Sequence, residues 1–134
     1  MSLMNNKKLA EDIHLVELSG PLNVTQEDKV VQLFRDMAAQ GVARVIIDLQ
    51  DVPFIDSRGL AALVTGYRLF GSDPANFRLA ALGNQPRLVF ELTGFDLIFE
   101  TFDSVVDALA DTTMEVELLL GIPVPAPQMA SVYS

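Results

Sequence analysis

The chain has no cysteine and a single histidine, His14. Without thiols there are neither disulfides nor thiolate metal sites, and one imidazole makes no ligand cluster, so structural zinc is excluded and no metal is expected. Positive charge is scarce as well: nine Lys and Arg face eighteen Asp and Glu, a formal net charge of −9. Nucleic-acid affinity rests on neutralising phosphates with basic side chains, and these few are scattered, which argues against a nucleic-acid partner. The longest apolar stretch, around Leu60 to Val64, falls far short of the ~18–20 residues that span a bilayer. No apolar leader precedes it, so the expectation is a cytoplasmic protein without membrane insertion. A Gly-rich phosphate-cradling loop is also missing, so no nucleotide or other cofactor is expected.

What is present fits one domain. At 134 residues the chain would bury roughly two-thirds of its unfolded surface, enough for a real core but not for a second domain. Ile13 to Leu18 reads as a strand closed by Gly20-Pro21, with a shorter strand within Leu3 to Ala10. Thr25 and Asp28 resemble a capping box, and Val30, Leu33, Phe34, Met37 and Ala38 form an apolar helical stripe ending at Gly41. Val45 to Leu49 is dense in β-branched residues, as a strand buried on both faces requires. Leu60, Leu63, Val64 and Tyr67 then recur at helical spacing. Phe77 to Leu82 is the next strand, Pro86 suits the first position of a short helix that Gly94 terminates, and Phe95 to Phe99 reads as a final strand. Asp103 or Thr101 would cap a last helix carrying Val105, Val106 and Leu109. Alternating strands and helices predict an α/β fold with a mostly parallel sheet, mixed at its N-terminal edge. Phe34, Ile46, Leu60, Leu63, Val64 and Leu79 are the expected core.

The junction Asp51-Val52-Pro53-Phe54-Ile55-Asp56-Ser57-Arg58-Gly59-Leu60 puts a serine hydroxyl where a buried strand hands over to a helix. Free backbone N–H groups and the positive end of the helix dipole converge there and suit an oxyanion or phosphoryl group. Ser and Asp are also the ordinary N-cap residues, so local pattern alone reads as well as a cap without chemistry. Hydrolysis is the competing class. A serine nucleophile needs an oriented base, and the usual Gly-x-Ser-x-Gly is half present, with Ile55 before Ser57 and Gly59 after it. His14, flanked by Ile13, Leu15 and Val16, reads as a partly buried or edge histidine rather than a base. The pairs Asp48/Asp51 and Asp103/Asp107 read as strand-end, turn, cap or solvated-face residues, so no enzyme is expected.

Phe54-Ile55-Asp56-Ser57-Arg58-Gly59-Leu60 resembles the signature of STAS domains, specifically the free-standing anti-sigma factor antagonists, in which hydrophobic residues precede Asp-Ser-Ser-Gly-Leu. The likeness extends to Leu18-Ser19-Gly20-Pro21-Leu22-Asn23 and to Phe77 through Phe95, spanning roughly residues 10 to 111. It implies a single-domain STAS-like fold, a mixed four- to five-stranded sheet with about four helices. It further implies an anti-sigma factor antagonist acting by partner switching: unphosphorylated protein binds an anti-sigma serine kinase, phosphorylation of Ser57 releases it, and a serine phosphatase resets the cycle. Ser57 is then the phosphorylated residue, and Asn23, Asp56, Arg58, Gly59, Leu60 and Asn84 form the partner-binding set. The alternative is a non-phosphorylated STAS assembly module of a transport or stress-signalling complex.

Two departures from the family pattern bear on partners. Arg58 stands where a second small serine is usual, a long cation that pairs with a phosphate, steers an acidic partner or blocks a kinase pocket. At Pro21 and Asn23 the family often carries acidic residues, so the interface has lost negative charge. The domain is placed at residues 1–111 and an irregular extension at 112–134, with Pro123, Pro125 and Pro127. Within that extension the apolar run Leu118 to Ile122 either drapes on the surface or packs on a second copy of the chain as a homodimer.

Overall fold

A computed structural model describes residues 3–10 and 13–110. Five strands form one sheet in the order β1-β2-β3-β4-β5: Leu3–Ala10, Ile13–Ser19, Arg44–Asp51, Phe77–Ala80 and Thr101–Phe102. β1 runs antiparallel to β2, and the rest pair in parallel. The helices are α1 (Val24–Ala39), α2 (Ser57–Leu69), α3 (Asn84–Thr93) and α4, described over 105–110. The mixed α/β architecture expected from the sequence is the one observed.

Each face of the sheet carries its own core, because alternate strand residues point to opposite sides. Val16, Leu18, Val45, Ile47 and Leu79 pack with Phe34 of α1, Leu63 of α2 and Phe90 of α3. Ile13, Leu15, Ile46 and Ala80 face the other way, beneath Val105, Ala108 and Leu109 of α4. Into that second layer points Arg78, 1% exposed. Its Nε donates to the Ala75 carbonyl at 3.1 Å, its Nη1 donates to the Ala108 carbonyl at 3.0 Å, and its guanidinium sits 5.6 Å from the Phe102 ring centroid. A buried guanidinium needs such partners.

Of the expected core, Phe34, Ile46, Leu60, Leu63 and Leu79 are buried, whereas Val64 is half-buried at the edge of the α2 stripe. The buried stripe runs on from Leu63 to Gly66, where an added Cβ would lie 2.5 Å from the Phe34 ring and 2.7 Å from Phe77. Large aromatics beneath the helix require a small residue above them.

Four local expectations are corrected. Phe95 to Phe99 is not a strand: Gly94 turns the chain at φ 79°, and Phe95–Leu97 winds into a 3₁₀ turn with i→i+3 hydrogen bonds. The apolar residues that suggested a strand are spaced for that turn, and Phe99 is buried within ring-centroid distances of 5.2 Å from Tyr67 and 5.5 Å from Phe90. The last strand is Thr101–Phe102. α4 is capped by Ser104, whose Oγ accepts from the Asp107 N–H at 3.1 Å, rather than by Asp103 or Thr101. α1 is capped by Asn23, whose Oδ1 accepts from the Thr25 N–H at 3.0 Å and from the Thr25 hydroxyl at 2.6 Å, so Thr25 and Asp28 do not form a capping box. Pro86 stands at the third helical position of α3, after Asn84 and Gln85, where its missing N–H is still harmless. The 112–134 extension, including Leu118 to Ile122, lies outside the described residues.

Candidate functional site

Because β2 to β5 are parallel, the connections leaving their C-terminal ends gather at one end of the sheet. This end carries Asn23 after β2, Asp56 and Ser57 after β3, and Asn84 after β4. Open parallel sheets place their sites there.

The segment leading to Ser57 is held on both sides. The Leu22 N–H donates to the Phe54 carbonyl at 2.9 Å and the Asp56 N–H to the Leu22 carbonyl at 3.3 Å, making a short parallel bridge between Leu22 and Ile55. On the other side the Ile55 N–H donates to Gln85 Oε1 at 2.8 Å, and Gln85 Nε2 donates to the Ile55 carbonyl at 3.0 Å. Ile55 itself is buried. A loop residue with both main-chain groups satisfied in this way is fixed like a strand residue.

α2 begins at Ser57. Its cap is Asp56, in extended conformation, whose Oδ1 accepts from the N–H of Arg58 at 2.9 Å and of Gly59 at 3.0 Å. Ser57 is therefore free of capping duty and exposed, as the strand-to-helix pattern predicts. The same bonds mean that two first-turn N–H groups are taken by a carboxylate, so these donors are not waiting for a phosphate.

Gly59 and Leu60, expected among the partner contacts, are both buried. A Cβ on Gly59 would stand 2.0 Å from the Leu22 carbonyl oxygen. The glycine lets the first turn of α2 lie directly on the chain leaving β2, and Leu60 anchors that turn in the core, so both hold the backbone beneath Ser57. Of the other expected residues, Arg58 and Asn84 are exposed, while Asn23 and Asp56 are half-buried by their capping roles.

Arg58 does not fold toward Ser57. Its Nη1 lies 3.3 Å from Oε1 of Glu27, in the first turn of α1, across a shallow depression of about 440 Å³ that Arg35 and Thr65 also line. Sequence reading singled out neither Glu27 nor Gln85. Glu27 looks like any first-turn acid, and Gln85 follows Asn84 in a helix start where polar residues are common; neither has a local pattern that reveals a partner 31 or 30 residues away. Val24 and Phe54, 59% and 44% exposed, flank this end as apolar surface beside the polar site. No group of acids and histidines able to hold a metal occurs among the described residues, and no helix among them is long and apolar enough to cross a membrane.

Comparison with known proteins bears on this geometry. Residues 6–108 match the family model of the STAS domain. The fold is shared with the crystal structure of an anti-sigma factor antagonist from Mycobacterium paratuberculosis, at 24% identity over 83% of this chain and 93% of that one, TM-score 0.73. It is shared also with the Bacillus cell-fate determinant SpoIIAA in its phosphorylated form, at 17% identity over 82% and 99% of the two chains, TM-score 0.61. A sulfate transporter family protein from Wolinella succinogenes superposes as well, at 21% identity over 83% and 93%, TM-score 0.68. With the family model covering most of the chain and the five-stranded mixed sheet carrying its strand-to-helix serine, this chain belongs to the STAS domain family.

Proposed function

We propose that this chain is an anti-sigma factor antagonist that works by partner switching at Ser57. The observation that carries the reading is the exposed hydroxyl of Ser57 as the first residue of α2, outside the capping hydrogen bonds and on a backbone fixed by Leu22, Gly59 and Gln85. Unphosphorylated protein binds an anti-sigma serine kinase through Asn23, Asp56, Arg58 and Asn84, together with exposed Val24 and Phe54, and so frees the sigma factor. The kinase transfers the γ-phosphoryl group of ATP to the Ser57 oxygen, which loses its proton. The complex separates, and a serine phosphatase hydrolyses the ester to restore the binding form. In this scheme the chain is a substrate and a ligand, with no catalysis and no cofactor of its own, and it acts in the cytoplasm.

The physical size of the effect is sufficient. Phosphoserine adds about −1.5 to −2 charge at neutral pH. That charge would stand beside the Asp56 carboxylate on a surface that must be desolvated on binding, where like charges repel. A hundredfold loss of affinity requires only ~2.7 kcal/mol, at 1.4 kcal/mol per decade. The backbone need not move.

Arg58 favours a second reading, a STAS assembly module of a transport or stress-signalling complex that is never phosphorylated, because a long side chain paired to Glu27 occupies the position beside the acceptor. Intact mass with site mapping of protein purified from its native cell separates the two. A phosphate on Ser57 supports partner switching; its absence under every growth condition in which the cognate kinase is active supports the module.

A further inference from the structure

Ser57 and Arg58 are adjacent, yet the guanidinium is engaged elsewhere, with Nη1 3.3 Å from Oε1 of Glu27. The Glu27 side chain is 21% exposed and the Arg58 side chain 63%, so the carboxylate is the more fixed member and the guanidinium the more free. At the helix start the Arg58 and Gly59 N–H groups are held by Asp56 Oδ1. A phosphate on Ser57 would thus arrive beside a carboxylate, with two first-turn donors already taken, and the adjacent cation is Arg58. Side chains at i and i+1 diverge on a helix, so the guanidinium reaches a phosphate on residue 57 by swinging its long, exposed arm away from Glu27. A phosphate of about −1.5 to −2 charge attracts a guanidinium more strongly than one carboxylate does and offers it a bidentate edge.

Resting on the phosphoswitch reading, we propose that Arg58 is an exchanging cation and that Glu27 is the positioning residue that controls it. With Ser57 unmodified, Arg58 closes the α1–α2 depression by pairing with Glu27. With Ser57 phosphorylated, Arg58 turns to the phosphate and leaves Glu27 uncovered. Phosphorylation then changes the partner face at two points: the phosphate itself, partly neutralised, and a carboxylate on α1 that was previously masked. A partner surface carrying its own acidic groups near α1 is rejected by the second change even where it does not touch Ser57. The position where this chain departs from the small serine of its relatives becomes the link from α2 to α1.

The test uses the full chain with phosphoserine installed at position 57 during translation, at a recoded codon, so that no kinase is needed. Phosphorus NMR follows the second ionisation of the phosphate, about pH 6 for free phosphoserine. The expected result is an ionisation raised by roughly half a pH unit in Arg58→Gln, the size an exposed ion pair supplies. Glu27→Gln should lower it while Arg58 is present and leave it unchanged in the Glu27→Gln, Arg58→Gln double variant. An ionisation indifferent to Arg58→Gln, or a Glu27→Gln effect of the same size with and without Arg58, overturns the exchange. Because the phosphate is placed without the kinase, these results stand apart from whether native-cell protein carries phosphate on Ser57, which tests the phosphoswitch reading itself.

Discussion

Both main-chain polar groups of Ile55 end on one side chain: Gln85 accepts from its N–H at 2.8 Å and donates to its carbonyl at 3.0 Å. The amide of a residue in α3 thereby serves as a strand would, and sets the height at which the next residues, Asp56 and Ser57, leave the sheet. An amide is the side chain suited to this, since it carries one acceptor and one donor group side by side.

Gln85→Leu should therefore be costly beyond its loss of volume. Ile55 is buried, and removing the amide leaves its N–H and carbonyl without this partner. A loss of about 1–3 kcal/mol in urea denaturation is expected. A neutral result would mean that the clamp contributes nothing to the platform under Ser57.

Gly59→Ala reverses the usual helix rule. Inside a helix, alanine is ordinarily better than glycine by roughly 0.5–1 kcal/mol. Here the new methyl would meet the Leu22 carbonyl oxygen at 2.0 Å, a backbone atom that cannot swing aside. The expected outcome is destabilisation by about 1–3 kcal/mol or more, read from the denaturation midpoint. A more stable variant would show that the first turn of α2 does not lie on the β2 exit as described.

Ser57 and Asp56 should separate cleanly in stability. Asp56→Ala removes the cap and should cost about 0.5–2 kcal/mol. Ser57→Ala removes an exposed hydroxyl from the first helical position and should change stability by less than about 0.5 kcal/mol. Leu63→Ala, beneath them in the core, should cost roughly 2–5 kcal/mol. If Ser57→Ala matched Asp56→Ala, the capping role would belong to the serine and its hydroxyl would not be free.

The fold was legible where periodicity had no rival. The β-branched run Val45 to Leu49 and the stripe Val30, Phe34, Met37 admit one reading each, and both were found as strand and helix. Phe95 to Phe99 misled because a short apolar run does not distinguish a strand from a turn whose apolar residues fall i, i+4 apart; the glycine before it decided the matter. Cap residues shifted by one or two positions, since several adjacent residues at each helix start were able to cap. At the site, the exposure of Ser57 followed from its place between strand and helix. The burial of Gly59 and Leu60 did not, because a motif names residues without saying which hold the site from below. The partners of Ile55 and Arg58 are tertiary, set by how α3 and α1 dock, and no window of sequence contains them.

The most direct measurement of the central claim is the affinity of the cognate anti-sigma kinase for the chain with serine and with phosphoserine at position 57, under identical salt. The account predicts tight binding of the unmodified form and a loss of about a hundredfold or more on phosphorylation, ~2.7 kcal/mol. Equal affinity for the two forms would contradict it, and would leave this STAS domain a binding module whose exposed serine carries no switch.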